Sequence, residues 1–123
     1  MQSFIQKLPY LPKDFFDRYQ ISKTQLKLYV LIIKTCRNNK DYVCQLTNKQ
    51  LTDLLNVSIS SHKYIGKLIA NLVSKQLITV TYKIIESEGT VRYIMESEQV
   101  FQLCVLAWAN KLLCKHKNID IQD

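Results

Sequence analysis

Residues 65–95 read IGKLIANLVSKQLITVTYKIIESEGTVRYIM, and within this stretch the hydrophobic period changes. Ile65, Leu68, Ile69 and Leu72 recur at i, i+3, i+4 and i+7, the stripe of a helix packed on one side. From Ile78 the period falls to two. Ile78, Val80, Tyr82 and Ile84 alternate with Thr79, Thr81 and Lys83, and Val91, Tyr93 and Met95 alternate with Arg92 and Ile94. Glu86 to Thr90, which contains Gly89, reads as the loop between two strands. The helix ends near Gln76 and feeds a β-hairpin.

Upstream, Thr47 and Gln50 form a T-x-x-Q capping box that opens a short helix, Asn48 to Leu55, with Leu51, Leu54 and Leu55 inward. Asn56-Val57-Ser58 breaks it, and Ser60 or Ser61 caps the helix that follows. Residues Tyr42 to Leu46 are β-prone and short. Before them, Ser22 with Gln25 is a second capping box. Leu26, Tyr29, Val30, Ile32 and Ile33 then mark a helix from Lys23 to about Arg37 that stops at Asn38-Asn39. Pro12 to Tyr19 is expected to form a short helix whose Phe15, Phe16 and Tyr19 pack across the domain. After Ser97, a helix from Glu98 to about Lys115 is apolar over nearly its whole circumference. The expected fold class is mainly α with a small β-hairpin (α+β). A single domain is expected over 1–123, with an N-terminal arm (1–21), a core (22–95) and a C-terminal helix (97–117).

The order helix, strand, helix, turn, helix, hairpin resembles the winged helix-turn-helix DNA-binding superfamily. The run LTDLLNVS over 51–58 is similar to the segment that opens such a motif. IGKLIANLVSKQLI over 65–78 is similar to the one that closes it and enters the wing. A more distant likeness, over Leu11-Pro12-Lys13 and Leu26 to Ile78, is to the winged-helix domains of plasmid replication initiators and phage replisome organisers. The chain departs from the pattern in two places. The turn between the second and third core helices is about three residues longer than in the tightest motifs. Gln76 also stands where the family usually has glycine, at a position that calls for a left-handed backbone.

Charge agrees with a polyanionic partner. The chain of 123 residues carries a formal +7. Residues 18–40 and 54–85 contain no acid. With the stripe from Ile65 to Leu72 turned inward, the opposite face of that helix presents Lys63, Lys67, Asn71 and Ser74, flanked by Tyr64, with Ser60, Ser61 and His62 at its start. The helix N-terminus suits phosphate contact or entry into the major groove. Lysine suits phosphates and guanine edges, and Asn71 suits adenine. On the hairpin, Lys83 and Arg92 are expected near each other on one face, as a basic wing against phosphate or minor groove. The acids Glu86 and Glu88 at its tip oppose that contact.

Too much of the last helix is apolar for one small domain to cover. Val100, Phe101, Cys104, Val105 and Trp108 are therefore expected to form a homodimer interface, whose two-fold axis would match a repeated DNA site. The competing expectation is that this helix packs on its own N-terminal arm.

Cys36, Cys44, Cys104 and Cys114 have neither zinc-ligand nor secreted-disulfide spacing, so no metal is expected, and no cofactor. No Gly-rich phosphate loop, G-x-S-x-G or H-E-x-x-H is present, so the chain is not read as an enzyme. No small-molecule ligand is evident. Pro9 and Pro12 interrupt any leader-like apolar run, and no membrane span is expected. A cytoplasmic, nucleoid-associated DNA-binding protein is expected, serving as a transcriptional regulator or as a replication or segregation factor of a plasmid or phage. The alternative is a winged-helix protein–protein adaptor that does not bind DNA.

Overall fold

The computed structural model describes residues 8–9, 20–55 and 62–116, with the side chains of all of these except 62, 63 and 114–116. The elements run α1 (Lys23–Asn38), β1 (Val43–Cys44), α2 (Asn48–Leu55), α3 (His62–Ser74), β2 (Ile78–Ile85), β3 (Gly89–Glu96) and α4 (Glu98–His116). Four helices and one three-stranded antiparallel sheet make an α+β fold among the described residues. The expected Pro12–Tyr19 helix and the Asn56–Ser61 turn lie outside those residues.

The starts of α1 and α2 have local causes. Thr47 and Gln50 form the full reciprocal box: the Gln50 amide donates to Thr47 Oγ1 at 3.1 Å and the Thr47 amide donates to Gln50 Oε1 at 2.9 Å. At α1 only half of the expected box forms. Ser22 Oγ accepts from the Gln25 amide at 3.1 Å, whereas the Gln25 side chain donates to Asn71 Oδ1 of α3. Gln25 is buried, so its carboxamide needs a partner in the core, and Asn71 supplies it.

The exit from α3 is a Schellman motif. The Leu77 amide donates to the Leu72 carbonyl at 3.0 Å and the Gln76 amide to the Val73 carbonyl at 2.9 Å, while Leu72 and Leu77 are both fully buried. Gln76 closes the motif with φ of 61°, the left-handed conformation that its position called for. A side chain is strained there, so Gln76→Gly is expected to stabilise the fold by about 1 kcal/mol. Thermal unfolding should shift upward by about 3–6 °C. An unchanged or lowered midpoint would show that the glutamine side chain makes compensating contacts.

β3 is the central strand, in the order β1-β3-β2. Ile85 pairs with Gly89, leaving a three-residue loop in which the Glu88 amide donates to the Ile85 carbonyl at 3.0 Å. Gly89 follows at φ of 75°, as a left-handed residue must in this hairpin class. The register then sets Tyr82 opposite Arg92 and Lys83 opposite Val91. Lys83 and Arg92 therefore lie on opposite faces of the hairpin, not on one face as the alternation suggested. A shift of one residue in pairing exchanges faces, and alternation alone does not fix it.

The core gathers Leu28, Tyr29, Ile32 and Ile33 of α1, Leu51 of α2, Ile65, Ile69 and Leu72 of α3, Ile94 of β3, and Val100 and Cys104 of α4. Leu28, absent from the expected stripe of α1, is fully buried, and Leu26 and Val30 lie at its margin. On α2 only Leu51 is buried. Leu55, one turn on from Leu51, packs against the edge of the core, whereas Leu54 is 58% exposed, contrary to the expected inward trio, because the covered stripe of this two-turn helix runs through i and i+4 and leaves i+3 to one side. Along one face of β2 exposure climbs from Ile78 (3%) to Tyr82 (64%) and Ile84 (86%). The inward-facing period persists while the hairpin itself leaves the body.

Candidate nucleic-acid interface

α3 is held by its buried side. Ile65 and Leu72 are fully buried and Ile69 nearly so, with Leu68 half-buried beside them. That fixes the opposite face toward solvent, where Tyr64, Lys67, Ala70, Asn71 and Ser74 are exposed. No acidic residue occurs between His62 and Ser74. The backbone of His62 and Lys63 belongs to the first turn of α3, while Ser60 and Ser61 lie outside the described residues.

Asn71 is exposed as a residue, yet its Oδ1 is engaged by Gln25 of α1. A carboxamide reads adenine with its oxygen and its nitrogen together, and here the oxygen is committed to a contact between helices. The Asn71 backbone carbonyl accepts from Ser74 Oγ at 2.8 Å.

The hairpin basics divide between two jobs. Lys83 is exposed, with its Nζ 5.2 Å from the centroid of the Tyr93 ring. Arg92 is half-buried. It donates from Nη1 to Asn48 Oδ1 at 2.7 Å and from Nη2 to the Leu46 carbonyl at 2.9 Å. Burial lowers its pKa. These bonds tie β3 to the start of α2 along a groove of about 690 Å³ whose walls include Thr47, Lys49, Tyr82 and Thr90. Lys49, at the head of α2, is an exposed cation facing this groove that composition and period did not single out. Its signal was the capping box itself, which places it in a first helical turn.

The α4 residues expected at a dimer interface divide as well. Val100 and Cys104 are buried in the core of this chain and are unavailable to a second copy. Phe101, Val105 and Trp108 are half-buried against the same core. The outward apolar residues of α4 are Leu106 (57% exposed), Leu112 and Leu113 (51%). A helix apolar all round shows no preferred face in its sequence, so the inward and outward sets are interchangeable until the neighbours are known.

Three cysteines are free thiols in buried positions: Cys36, Cys44 and Cys104. Cys36 Sγ donates to the Ile94 carbonyl at 3.3 Å, and burial, then Cys44 and Glu96, push its pKa up to about 12. Burial raises the other two as well. The unfolded thiol, near 9, then loses its proton before the folded one. Stability from this group is whole below about pH 9 and falls as pH rises toward 12. Urea midpoints should decline from pH 8 to pH 10, with native Cys36 resisting alkylation at both. Prompt native alkylation would contradict its burial. Among the described residues no three His, Cys, Asp or Glu side chains gather closely enough to hold a metal ion, and no helix is long and apolar enough to cross a membrane.

No family model matches the chain, and no curated protein matches it. A solved structure described as a possible transcriptional regulator from Methanosarcina mazei Go1 is similar to it with a TM-score of 0.48 and 16% sequence identity. The match covers 85% of this chain and 83% of that one.

Proposed function

We infer that the chain is a winged-helix protein that binds double-stranded DNA with α3 in the major groove. The observation that carries this reading is the outward face of α3: Lys67 and Tyr64 exposed, no acid along the helix, and the opposite face locked into the core. A groove about 12 Å wide admits such a helix. The order α1-β1-α2-α3-β2-β3 with strand order β1-β3-β2, and a hairpin projecting past the body, supports the winged-helix assignment. Ser60, Ser61, His62 and Lys63 enter the groove ahead of Lys67, and Lys83 meets the backbone from the exposed side of the wing. Arg92 holds the wing in place, and Asn71 holds α3 against α1. The role is that of a transcriptional regulator, or of a replication or segregation factor of a plasmid or phage. A homodimer would form through Leu106 and Leu113, both about half exposed on the side of α4 turned away from the core.

A second reading, a protein adaptor, draws on Leu54, whose exposed side chain lies on the helix preceding α3. Binding of a short random duplex at two salt concentrations separates the readings. Phosphate contacts release counterions, so DNA affinity should fall steeply with salt, and Lys63→Ala/Lys67→Ala should reduce the logarithmic slope by about 2. Sedimentation of the same samples reads the dimer. No binding at low salt by folded protein would sink the DNA reading in favour of the adaptor.

A further inference from the structure

At the C-terminal end of α1 lies a cleft of about 370 Å³, the size of small-ligand sites, on the border between α1, the turn before β1, the end of β3 and the first turn of α4. Its walls are largely apolar, with the Tyr42 and Phe101 rings and Met95 among them. Its charge is unusual for a chain of +7. Arg37, the one base among the described lining residues, is neutralised by Glu96 in a two-pronged ion pair, Nε to Oε2 at 3.1 Å and Nη2 to Oε1 at 2.5 Å. Asp41 and Glu98 remain, both exposed at the rim. The carbonyl end of α1 adds partial negative charge.

We propose that this cleft binds a small organic cation with an apolar body, such as a quaternary or aromatic ammonium compound. The two rim carboxylates attract the charge, and the Tyr42 ring, half exposed, offers a π-face to it. An anion finds no equivalent welcome. Arg37 already donates to Glu96 and, through Nη1, to the Leu8 and Pro9 carbonyls at 2.9 and 3.1 Å. A metal ion finds no ligand set here: Glu96 is taken by Arg37, and no three acidic, His or Cys side chains among the described residues lie close enough to hold one. No local motif marks this cleft, because its lining comes from segments separated by some fifty residues of chain, joined only when β3 pairs with β1. The inference stands apart from DNA binding and survives its failure.

The test is titration of the full chain with phenyltrimethylammonium at fixed ionic strength, followed by amide NMR shifts, with benzyl alcohol and benzoate as neutral and anionic probes. The expected result is saturable binding of the cation, with shifts centred on Asp41, Tyr42 and Phe101, weaker binding of the alcohol and none of benzoate. Asp41→Asn/Glu98→Gln should weaken the cation about tenfold while the remaining amide shifts keep the native pattern; the thermal midpoint falls only slightly, because Asp41 Oδ1 accepts from the Val43 amide at 3.2 Å, a bond that asparagine can keep, and Glu98 sits in the first turn of α4. Binding that ignores the double substitution, that benzoate matches, that shifts other residues, or that never saturates overturns the proposal.

Discussion

Glu96→Ala should lower the free energy of unfolding by about 3–5 kcal/mol, the largest loss expected from any single polar substitution in this chain. The side chains of Arg37 and Glu96 are only 3% and 9% exposed. Removing the carboxylate leaves a guanidinium buried against the Phe101 ring, 5.9 Å from its centroid, with its strongest acceptor gone. Burial works against the charged guanidinium, and the hydrogen bond and charge of Glu96 outweigh it, so the Arg37 pKa is raised in the folded chain. The same guanidinium holds the Leu8 and Pro9 carbonyls, so the pair also fixes where the N-terminal segment meets α1. Arg37→Met/Glu96→Leu should recover part of the loss, because replacing both charges by apolar groups removes two desolvation costs along with the attraction. Urea unfolding followed by Trp108 fluorescence measures all three chains. A loss below about 1 kcal/mol in Glu96→Ala would mean that water reaches the pair and that it behaves as a surface bridge.

Arg37 also shows why charge read from sequence misjudged the surface. It belongs to the acid-free block 18–40, whose charge agrees with a polyanionic partner. Its partner lies on the far side of the chain, fifty-nine positions on. Arg92 repeats the lesson on the hairpin. Element positions were legible because helix and strand periods are local. The helix from Asn48 to Leu55 was bounded correctly by its capping box and the break after it. Contacts between elements were not legible. Gln25 looked like a capping residue and serves as a link to Asn71. Val100 and Cys104 looked like an interface and fill the core. The hairpin register was within reach. Treating Gly89 as the left-handed residue that follows a three-residue loop pairs Ile85 with Gly89, and counting back from there separates Lys83 from Arg92.

Arg92→Ala should therefore act on stability first and on DNA second. Its guanidinium joins Asn48 Oδ1 and the Leu46 carbonyl across the groove between the hairpin and the head of α2, and bonds from a charged donor are worth about 1.5–3 kcal/mol. Loss of that order is expected in urea unfolding. Arg92→Lys should recover little, because an ammonium on a flexible stem does not reproduce the fork that spans two acceptors. A phosphate contact behaves in the opposite way. Lys67→Ala removes an exposed charge, so it should leave the unfolding midpoint in place and take about one unit from the salt slope of DNA binding. Under the structural role, Arg92→Ala weakens the proposed DNA binding only through a hairpin no longer held to α2, with the salt slope unchanged. The opposite pattern, an unchanged midpoint with a slope lower by about one, would return Arg92 to the DNA face and require its bonds to Asn48 and Leu46 to yield when DNA binds.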